Sequence, residues 1–296
     1  GVTYVTTTME QHLGNEISST FDFYCHDLIK LYEDNRGWQF TFGLNLGNYC
    51  YWDKCTFCRI PDLQKETCNR YLRPNIDLIF KNLNIPKIKN NFKILHTCIP
   101  APTPELLNQM FNNCDHLFKN NDTFVSSFLR ADRDVIETIR NTDDLRHFRF
   151  AIGLESFSQQ ILNEIKKGIT IEHAYELTQL ILERKGAAEI TLMINHVPID
   201  DNIMEEYKKN ISLFSALKVA YPNKLTLYNA GPIRWPTRKQ AEKGGFDSRR
   251  VSSTFESYIT RIPKDGIQFK YVQRMNQLIA DSFPGFMTPR TLDYYE

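Results

Sequence analysis

Short β-rich runs alternate with amphipathic helical segments from residue 38 onward, and this alternation limits the possible folds more than any other feature. Six runs have the composition of strands: residues 39–46, 92–97, 123–129, 148–153, 189–194 and 224–228. Between them, apolar residues recur at helical spacing. Strands separated by helices pair in parallel through right-handed crossovers. The pattern predicts an α/β fold, a partial (β/α)6 barrel of parallel strands that is not fully closed.

The two ends of the chain depart from this repeat. The first segment carries an apolar stripe that includes Phe21, Leu28 and Tyr32, which predicts a helical N-terminal extension docked on the barrel. The last segment opens with a Pro/Gly-rich stretch and continues with predicted helices near 251–262 and 267–283. We expect it to cap the open barrel mouth. The predicted division is residues 1–37 for the extension, 38–230 for the core and 231–296 for the cap.

Three cysteines lie close together on the loop that follows the first predicted strand. Residues 50–58 read C-Y-W-D-K-C-T-F-C, which places Cys50, Cys55 and Cys58 on one short loop. Three thiolates suit an iron–sulfur cubane, because such a cluster can leave its fourth iron open for another ligand. A tetrahedral zinc site would require a fourth protein ligand. The loop therefore predicts a [4Fe–4S] cluster with one open iron.

Composition excludes several other classes of function. The chain has 296 residues, a formal net charge of +1 and seven cysteines. An odd cysteine count with one tight cluster indicates a reducing cytoplasm rather than a secreted disulfide scaffold. Without a basic excess, binding to a long nucleic acid is not expected. No apolar run reaches the length of a membrane span, and no signal-peptide pattern opens the chain, so no membrane partner is expected.

The cysteine loop resembles that of the radical SAM superfamily, which has an aromatic residue directly before the third cysteine. In that superfamily three cysteines hold a [4Fe–4S] cluster, and the open iron binds the amino and carboxylate groups of S-adenosylmethionine (SAM). The usual spacing is C-x3-C-x2-C, whereas this chain has C-x4-C-x2-C. The resemblance implies both cofactors, with Cys50, Cys55 and Cys58 as cluster ligands and Phe57 beside the adenine. The fold that it implies agrees with the predicted barrel.

The ends of the next two strands are the places where the resemblance implies contacts with SAM. The second strand ends in H-T-C-I-P-A-P without the family's Gly-Gly-Glu turn, and free carbonyls up to Pro100 are predicted to replace it. Cys98 there is either a hydrogen-atom donor to a substrate radical or a small buried apolar residue. After the third strand, Arg130 either pairs with the SAM carboxylate or forms a structural ion pair with Asp132 or Asp134.

The fourth predicted strand carries the second strongest resemblance. It runs into Gly153-Leu154-Glu155-Ser156, and Lys167-Gly168 follow. The resemblance implies that the carboxylate of Glu155 accepts hydrogen bonds from the ribose hydroxyls or the amino group of SAM.

Polar residues also follow the fifth and sixth predicted strands, and only their position suggests a contact with SAM. Asn195 and Asn229 suit contacts with ribose and adenine, and Tyr228 is either a ligand contact at the mouth or a packed barrel residue. His196 is an acid, a base or a structural histidine.

The function implied by the resemblance is reductive cleavage of SAM, followed by abstraction of a substrate hydrogen by a 5'-deoxyadenosyl radical. We expect a ribosomally made peptide as substrate, with backbone excision or epimerization as the outcome and an external one-electron reductant as partner. A leader-peptide-binding partner protein is compatible with this. Cobalamin-dependent methyl transfer is not expected, because residues 1–37 leave no room for a cobalamin domain.

Three alternatives remain open. The substrate could be a small metabolite or nucleotide. Cys68 could complete a closed zinc or iron–sulfur site of four cysteines, without SAM chemistry. The chain could also be a degenerate barrel that only binds a partner.

Overall fold

The computed structural model describes most of the core of the chain. The described residues are 5–7, 41–44, 50–58, 60, 94–97, 99–118, 124–194, 198–232, 234–243, 245–250 and 258–283. The predicted N-terminal helix, Cys68, Cys98, Asn195 and His196 lie outside them.

Seven parallel strands form the central sheet of the described residues. They are β1 (Val5–Thr7), β2 (Thr41–Leu44), β3 (Ile94–Thr97), β4 (Phe124–Leu129), β5 (Phe148–Glu155), β6 (Ala187–Ile194) and β7 (Leu225–Pro232). Each strand pairs with the next in the chain, from β1 through to β7. Each of the six predicted runs overlaps one of the strands from β2 to β7. The seventh, β1, comes from the segment predicted as an extension and pairs in parallel with β2.

Helices connect most of these strands. The described ones are α1 (Pro104–Phe118), α2 (Arg133–Arg140), α3 (Gln159–Glu164), α4 (Ile171–Glu183), α5 (Asp201–Ala220), α6 (Arg238–Ala241) and α7 (Ile267–Ser282). Right-handed crossovers in a sheet of sequential strand order place all the connecting helices on one face. The α/β barrel-type fold predicted from the sequence is therefore confirmed. Among these helices, none combines the length and the apolarity needed to cross a bilayer.

The core lies between the sheet and its helices, as the pleat of β5 shows. Phe148, Phe150, Ile152 and Leu154 are buried, whereas Arg149 between them is exposed. The face without helices is more open, and its aromatic residues Phe124, Phe128 and Tyr228 are 38–55% exposed. Because side chains alternate along a strand, one face builds the core and the other lines the inside of the incomplete barrel.

The C-terminal segment divides into two parts. Residues Asp247–Arg250 (β8) and Tyr258–Arg261 (β9) form an antiparallel pair, so the predicted helix over 251–262 is wrong at its C-terminal end. The predicted helix over 267–283 is confirmed as α7. This helix packs against α5 in the outer layer: Gln268 bonds both backbone groups of Ile199, and Ser215 donates to the carbonyl of Ser282.

Candidate active site

The cysteine loop lies over the C-terminal ends of the central strands, where reactive groups converge in parallel βα barrels. Cys50, Cys55 and Cys58 are all half-buried. A turn closes the second half of the loop, because the amide of Cys58 donates to the carbonyl of Cys55 at 3.2 Å. The amide of Ile60 then donates to the sulfur of Cys58 at 3.4 Å. The backbone therefore positions the third thiol before any metal is considered.

Two aromatic residues of the loop fix it to distant parts of the chain. The hydroxyl of Tyr51 donates to the carboxylate of Asp132, at the start of α2. The indole Nε1 of Trp52 donates to the carbonyl of Lys166 at 2.8 Å. The guanidinium of Arg130 lies 4.6 Å from the centre of the Trp52 ring, which is a cation–π distance. These contacts hold the loop against the end of β4 and the segment that follows α3.

Gly168 permits this close approach of Trp52. Its φ is +71°, and a Cβ at this position would lie 1.9 Å from a ring carbon of Trp52. Only glycine meets both the backbone and the steric requirement without rearrangement. The glycine of Lys167-Gly168, in the motif that begins on β5, is therefore required by the structure.

The second half of the loop contacts two further segments. The amide of Thr56 donates to the carbonyl of Ile165 at 3.0 Å, just after α3. The side-chain amide of Gln240, on α6, donates to the carbonyl of Thr56 at 3.2 Å. The segment after the last barrel strand thus contacts the cysteine loop directly, as a cap would.

A buried ion pair lies beside the loop. Lys167 Nζ is 2.8 Å from Glu155 Oε1, and the two side chains are only 8% and 13% exposed. Lys167 Nζ also lies 5.9 Å from the centre of the Phe57 ring. A shift in strand register occurs between Gly153 and Glu155, and Glu155 has a φ of +71°. Such outliers cluster at functional sites, where the surrounding structure enforces them.

Ser156, the last residue of the same motif, has a structural role. It is fully buried, and its hydroxyl donates to the hydroxyl of Tyr207 on α5 at 3.0 Å. Burial raises the pKa of Tyr207 to about 12, so that this phenol stays protonated and the contact neutral.

Arg130 forms the structural ion pair that the sequence left open. Its Nε donates to Asp132 at 2.8 Å, and one terminal nitrogen donates to the carbonyl of Lys167 at 2.7 Å. The side chain is 4% exposed. In this structure the guanidinium therefore links the end of β4 to the segment that follows α3.

The electrostatics of the loop favour thiols in the absence of a metal. Burial raises the pKa of Cys55 and of Cys58, and interaction with the other cysteines raises both further. The positive charges of Lys167 and Arg130 act in the opposite direction on Cys55. Metal ligation requires thiolates, so these two cations are suitably placed to support it.

The three cysteines do not form a single-ion site. In the part of the chain that the structure describes, no three Cys, His, Asp or Glu side chains are grouped closely enough to hold one metal ion. A cubane makes a different demand, because its three thiolates bind three separate irons. The loop has the donor set for such a cluster, with all three thiols on nine consecutive residues.

The other predicted site residues lie at strand ends, with uneven surroundings. Phe57 is half-buried and packs on the main core. Pro100 is half-buried and follows a turn in which the amide of Ile99 donates to the carbonyl of Thr97. Tyr228 is 55% exposed rather than packed inside the barrel. Asn229 follows it on β7.

Three residues that build the site have no role predicted from the sequence: Tyr51, Trp52 and Lys167. Asp132 is predicted there only as one of two possible ion-pair partners of Arg130, and the structure shows that pair. The two aromatic residues between the first and second cysteines were a visible signal, because large amphipathic side chains on a loop usually find a partner when partly buried.

Charged and polar side chains also occupy the open face below this edge. His96 Nδ1 lies 3.2 Å from the hydroxyl of Ser126, and burial lowers the pKa of His96. Further along the sheet, burial raises the pKa of Glu189 on β6, and the positive charge of Arg149 on β5 opposes that rise. The inside of the incomplete barrel thus combines aromatic rings with charges of both signs.

Comparisons with known proteins support the fold. No family model matches the chain, and no curated protein does. Solved structures do match, and two examples show their likeness to the chain. The radical S-adenosylmethionine methyltransferase TsrM from Kitasatospora setae, with tryptophan and a SAM analog bound, matches with a TM-score of 0.56 at 12% identity, over 83% of this chain and 52% of that one. The cobalamin-dependent S-adenosylmethionine radical enzyme OxsB matches with a TM-score of 0.54 at 14% identity, over 86% and 44%.

The chain spans about half the length of these two proteins. At such identities the likeness concerns the fold, which agrees with the resemblance seen in the cysteine loop. This chain has the fold of the radical SAM enzymes.

Proposed function

We propose that the chain is a radical SAM enzyme. It holds a [4Fe–4S] cluster on Cys50, Cys55 and Cys58 and binds SAM at the adjoining strand ends. The observation that carries the proposal is the docking of the cysteine loop on the end of β4 and on the segment after α3, beside the buried Glu155–Lys167 pair. When bound, the two groups would supply a 5'-deoxyadenosyl radical. SAM would be cleaved to methionine and this radical with one electron from the external reductant, and the radical would take a hydrogen atom from the substrate.

The residues of the chain prepare the site for these groups. Lys167 and Arg130 place positive charge near Cys55, which offsets the charge of the thiolates. Lys167 holds the Glu155 carboxylate at the strand end, where it can accept hydrogen bonds from the nucleoside. Trp52, stacked on Arg130 and bonded to Lys166, keeps the loop from moving away. Phe57 gives the cofactors an apolar wall that excludes water.

The cluster assignment is tested by replacing one ligand. Cys55→Ala is expected to lose most of its iron after anaerobic reconstitution and to release no 5'-deoxyadenosine, because two thiolates do not hold the cubane. Iron analysis and chromatography of the nucleoside products measure both. The matched control is Ser212→Ala, an exposed position on α5. Nucleoside release at the wild-type rate by Cys55→Ala would contradict the assignment. Stoichiometric zinc in the unaltered protein, without nucleoside release, would favour the four-cysteine alternative.

We further propose a ribosomally made peptide as the substrate. The open face extends from β3 to β7, which at about 4.8 Å per strand gives a width of about 19 Å. That width suits several residues of an extended peptide, and Phe128 and Tyr228 offer exposed rings to its side chains. An external one-electron reductant, a leader-binding partner and a cytoplasmic location belong to the same proposal. Cys98 would act only if the reaction is an epimerization.

A small amino-acid metabolite is the second candidate. The observation that favours it is the presence of opposite charges on the same face, from Arg149 and Glu189, which would suit a zwitterion. Reconstituted protein is incubated with SAM, a reductant and either candidate peptides or free amino acids. Mass spectrometry then identifies the substrate that changes mass or stereochemistry while 5'-deoxyadenosine forms. Product only from free amino acids would overturn the peptide proposal.

A further inference from the structure

The segment that follows β7 carries a strongly basic surface. Between residues 234 and 250 the chain has six cationic side chains and two carboxylates, a net charge of +4, whereas the whole chain carries only +1. The rest of the chain is therefore net negative, and positive charge is concentrated on this segment. The six cations are all exposed and form the basic surface: Arg234, Arg238, Lys239, Lys243, Arg249 and Arg250.

Hydrogen bonds join this segment into one folded unit. The hydroxyl of Ser248, on β8, donates to the carboxylate of Glu242, directly after α6, at 2.8 Å. The hydroxyl of Thr260, on β9, donates to the carbonyl of Ala241, on α6, at 2.7 Å. The helix α6 and the ribbon of β8 and β9 therefore hold the cations in a defined arrangement, and the basic surface is not a loose charged tail.

Ion pairs within the chain offset only part of the positive charge. Arg238 lies 2.7 Å from Glu242, and Lys243 lies 3.2 Å from Glu164. Exposed ion pairs of this kind contribute little to the stability of a fold. The surplus of positive charge is therefore not explained by the needs of folding, and it is available to a partner of opposite charge.

The basic surface adjoins the cysteine loop. Lys239 stands next to Gln240, whose side-chain amide donates to the carbonyl of Thr56 at 3.2 Å. Thr56 follows Cys55 directly and lies two positions before Cys58. A protein that binds over Lys239 is therefore connected to the proposed cluster ligands through one hydrogen bond and a single loop residue.

We propose that the basic surface docks a small acidic protein that carries one electron, such as an FMN-containing flavodoxin. The inference rests on the proposed function, which needs an external one-electron reductant. The carrier loses one electron and the cluster gains it, and no atom passes between the two proteins. Complementary charges steer such an encounter and fix its orientation, and a transient electron-transfer complex needs only a small interface. Because the rest of the chain is net negative, an acidic carrier is guided to the end of the molecule where the cysteine loop lies.

Docking is tested first by binding, without any turnover. Thermophoresis under anaerobic conditions measures the affinity of the reconstituted protein for an oxidised acidic flavodoxin at low ionic strength. The double variant Arg234→Glu with Lys239→Glu is expected to weaken binding about tenfold, because two attractions become two repulsions. The difference should disappear in about 1 M salt, where charges are screened within about 3 Å. A basic cytochrome c, which is a one-electron carrier of the opposite charge, is expected not to bind.

The release of 5'-deoxyadenosine then separates docking from chemistry. With a low concentration of reduced flavodoxin as the electron donor, the double variant should release the nucleoside about tenfold more slowly than the wild type. With dithionite, a small reductant that needs no docking surface, the two proteins should release it at the same rate. The matched control is Lys208→Glu with Lys209→Glu, two exposed positions on α5 that give the same net charge. This control should behave as the wild type with both reductants, and circular dichroism checks that both double variants are folded.

The outcomes distinguish the docking surface from the proposed function. Unchanged flavodoxin binding by the variant of the basic surface, or an equal loss in the α5 control, would overturn the docking surface. A short RNA that binds the wild type but not this variant, while flavodoxin-driven release stays unchanged, would overturn it in favour of a nucleic acid. No nucleoside release by the wild type with dithionite would instead contradict the proposed function. Normal release with dithionite, together with unaltered flavodoxin binding by the variant, would contradict only the docking surface.

Discussion

At the scale of single residues, Gly168 is a position where the site tolerates little change. Gly168→Ala places a methyl group inside the Trp52 ring and strains a φ of +71°. We expect it to cost about 2–3 kcal/mol in the free energy of unfolding and to lower the iron content after reconstitution. Urea titration and iron analysis measure the two effects.

Gly245 provides a control for the cost of backbone strain without a steric clash. It also has a positive φ, +81°, but a Cβ there would meet nothing within 4 Å. Gly245→Ala is expected to cost about 1 kcal/mol and to leave the iron content unchanged. Equal effects of the two substitutions would show that Trp52 does not pack against Gly168.

The second prediction at this scale concerns the contribution of the Glu155–Lys167 ion pair to the free energy of unfolding. Lys167→Met leaves the Glu155 charge buried without its cation, so we expect a loss of about 3 kcal/mol in unfolding free energy. The double variant with Glu155→Gln removes both charges and is expected to lose less than the sum of the two single variants. Chemical denaturation of the four proteins of this cycle measures the coupling. Additive losses would mean that the pair does not interact in solution.

At the scale of elements, the turn between α2 and β5 is predicted to depend on pH. Asp144 accepts from the amide of Arg146 at 2.9 Å and from its Nε at 2.7 Å, and these bonds lower the pKa of Asp144 to about 2. A carboxyl with a depressed pKa stabilises the fold above its ordinary pKa of 3.8, and this stabilisation is lost as the pH falls towards 2.

Asp144→Asn should therefore lower the unfolding free energy at pH 7 but not at pH 2. The side chain is 35% exposed, so solvent screening limits the difference to about 1 kcal/mol or less. Thermal melts of both proteins from pH 2 to pH 7 measure it. A difference that stays constant over this range would rule out Asp144 as the group responsible.

Elements built from local contacts were predictable, and those built from distant contacts were not. The strands from β2 to β7 follow from apolar runs and helical spacing, which are local signals. The strand β9 lies in a segment whose apolar residues also fit helical spacing, and its backbone hydrogen bonds come from the antiparallel pairing with β8, which that spacing does not indicate. The short strand β1 likewise depends on its pairing with β2.

At the scale of the whole molecule, the cysteine motif could be predicted from the sequence, but the distant residues that hold the cysteine loop in place could not. The three cysteines and Glu155 stand out by spacing and by resemblance. By contrast, Trp52 bonds the carbonyl of Lys166, 114 positions away, and Gln240 bonds that of Thr56, 184 positions away. No spacing rule connects such distant positions. The fold brings them together by placing all the strand ends at one edge.

The attachment of the last helix to the barrel is predicted to depend on one side chain. Gln268 Oε1 accepts from the amide of Ile199 at 2.6 Å, and Gln268 Nε2 donates to its carbonyl at 2.8 Å. Gln268→Ala would leave two backbone groups of a buried residue unpaired, so we expect a cost of about 2 kcal/mol and faster amide exchange along α7. Hydrogen-exchange mass spectrometry measures the exchange. The control Gln277→Ala, on the same helix, removes only an exposed hydrogen bond to Asp281 and should leave the unfolding free energy and the amide exchange unchanged. If Gln277→Ala lost as much protection as Gln268→Ala, α7 would not be held through Ile199.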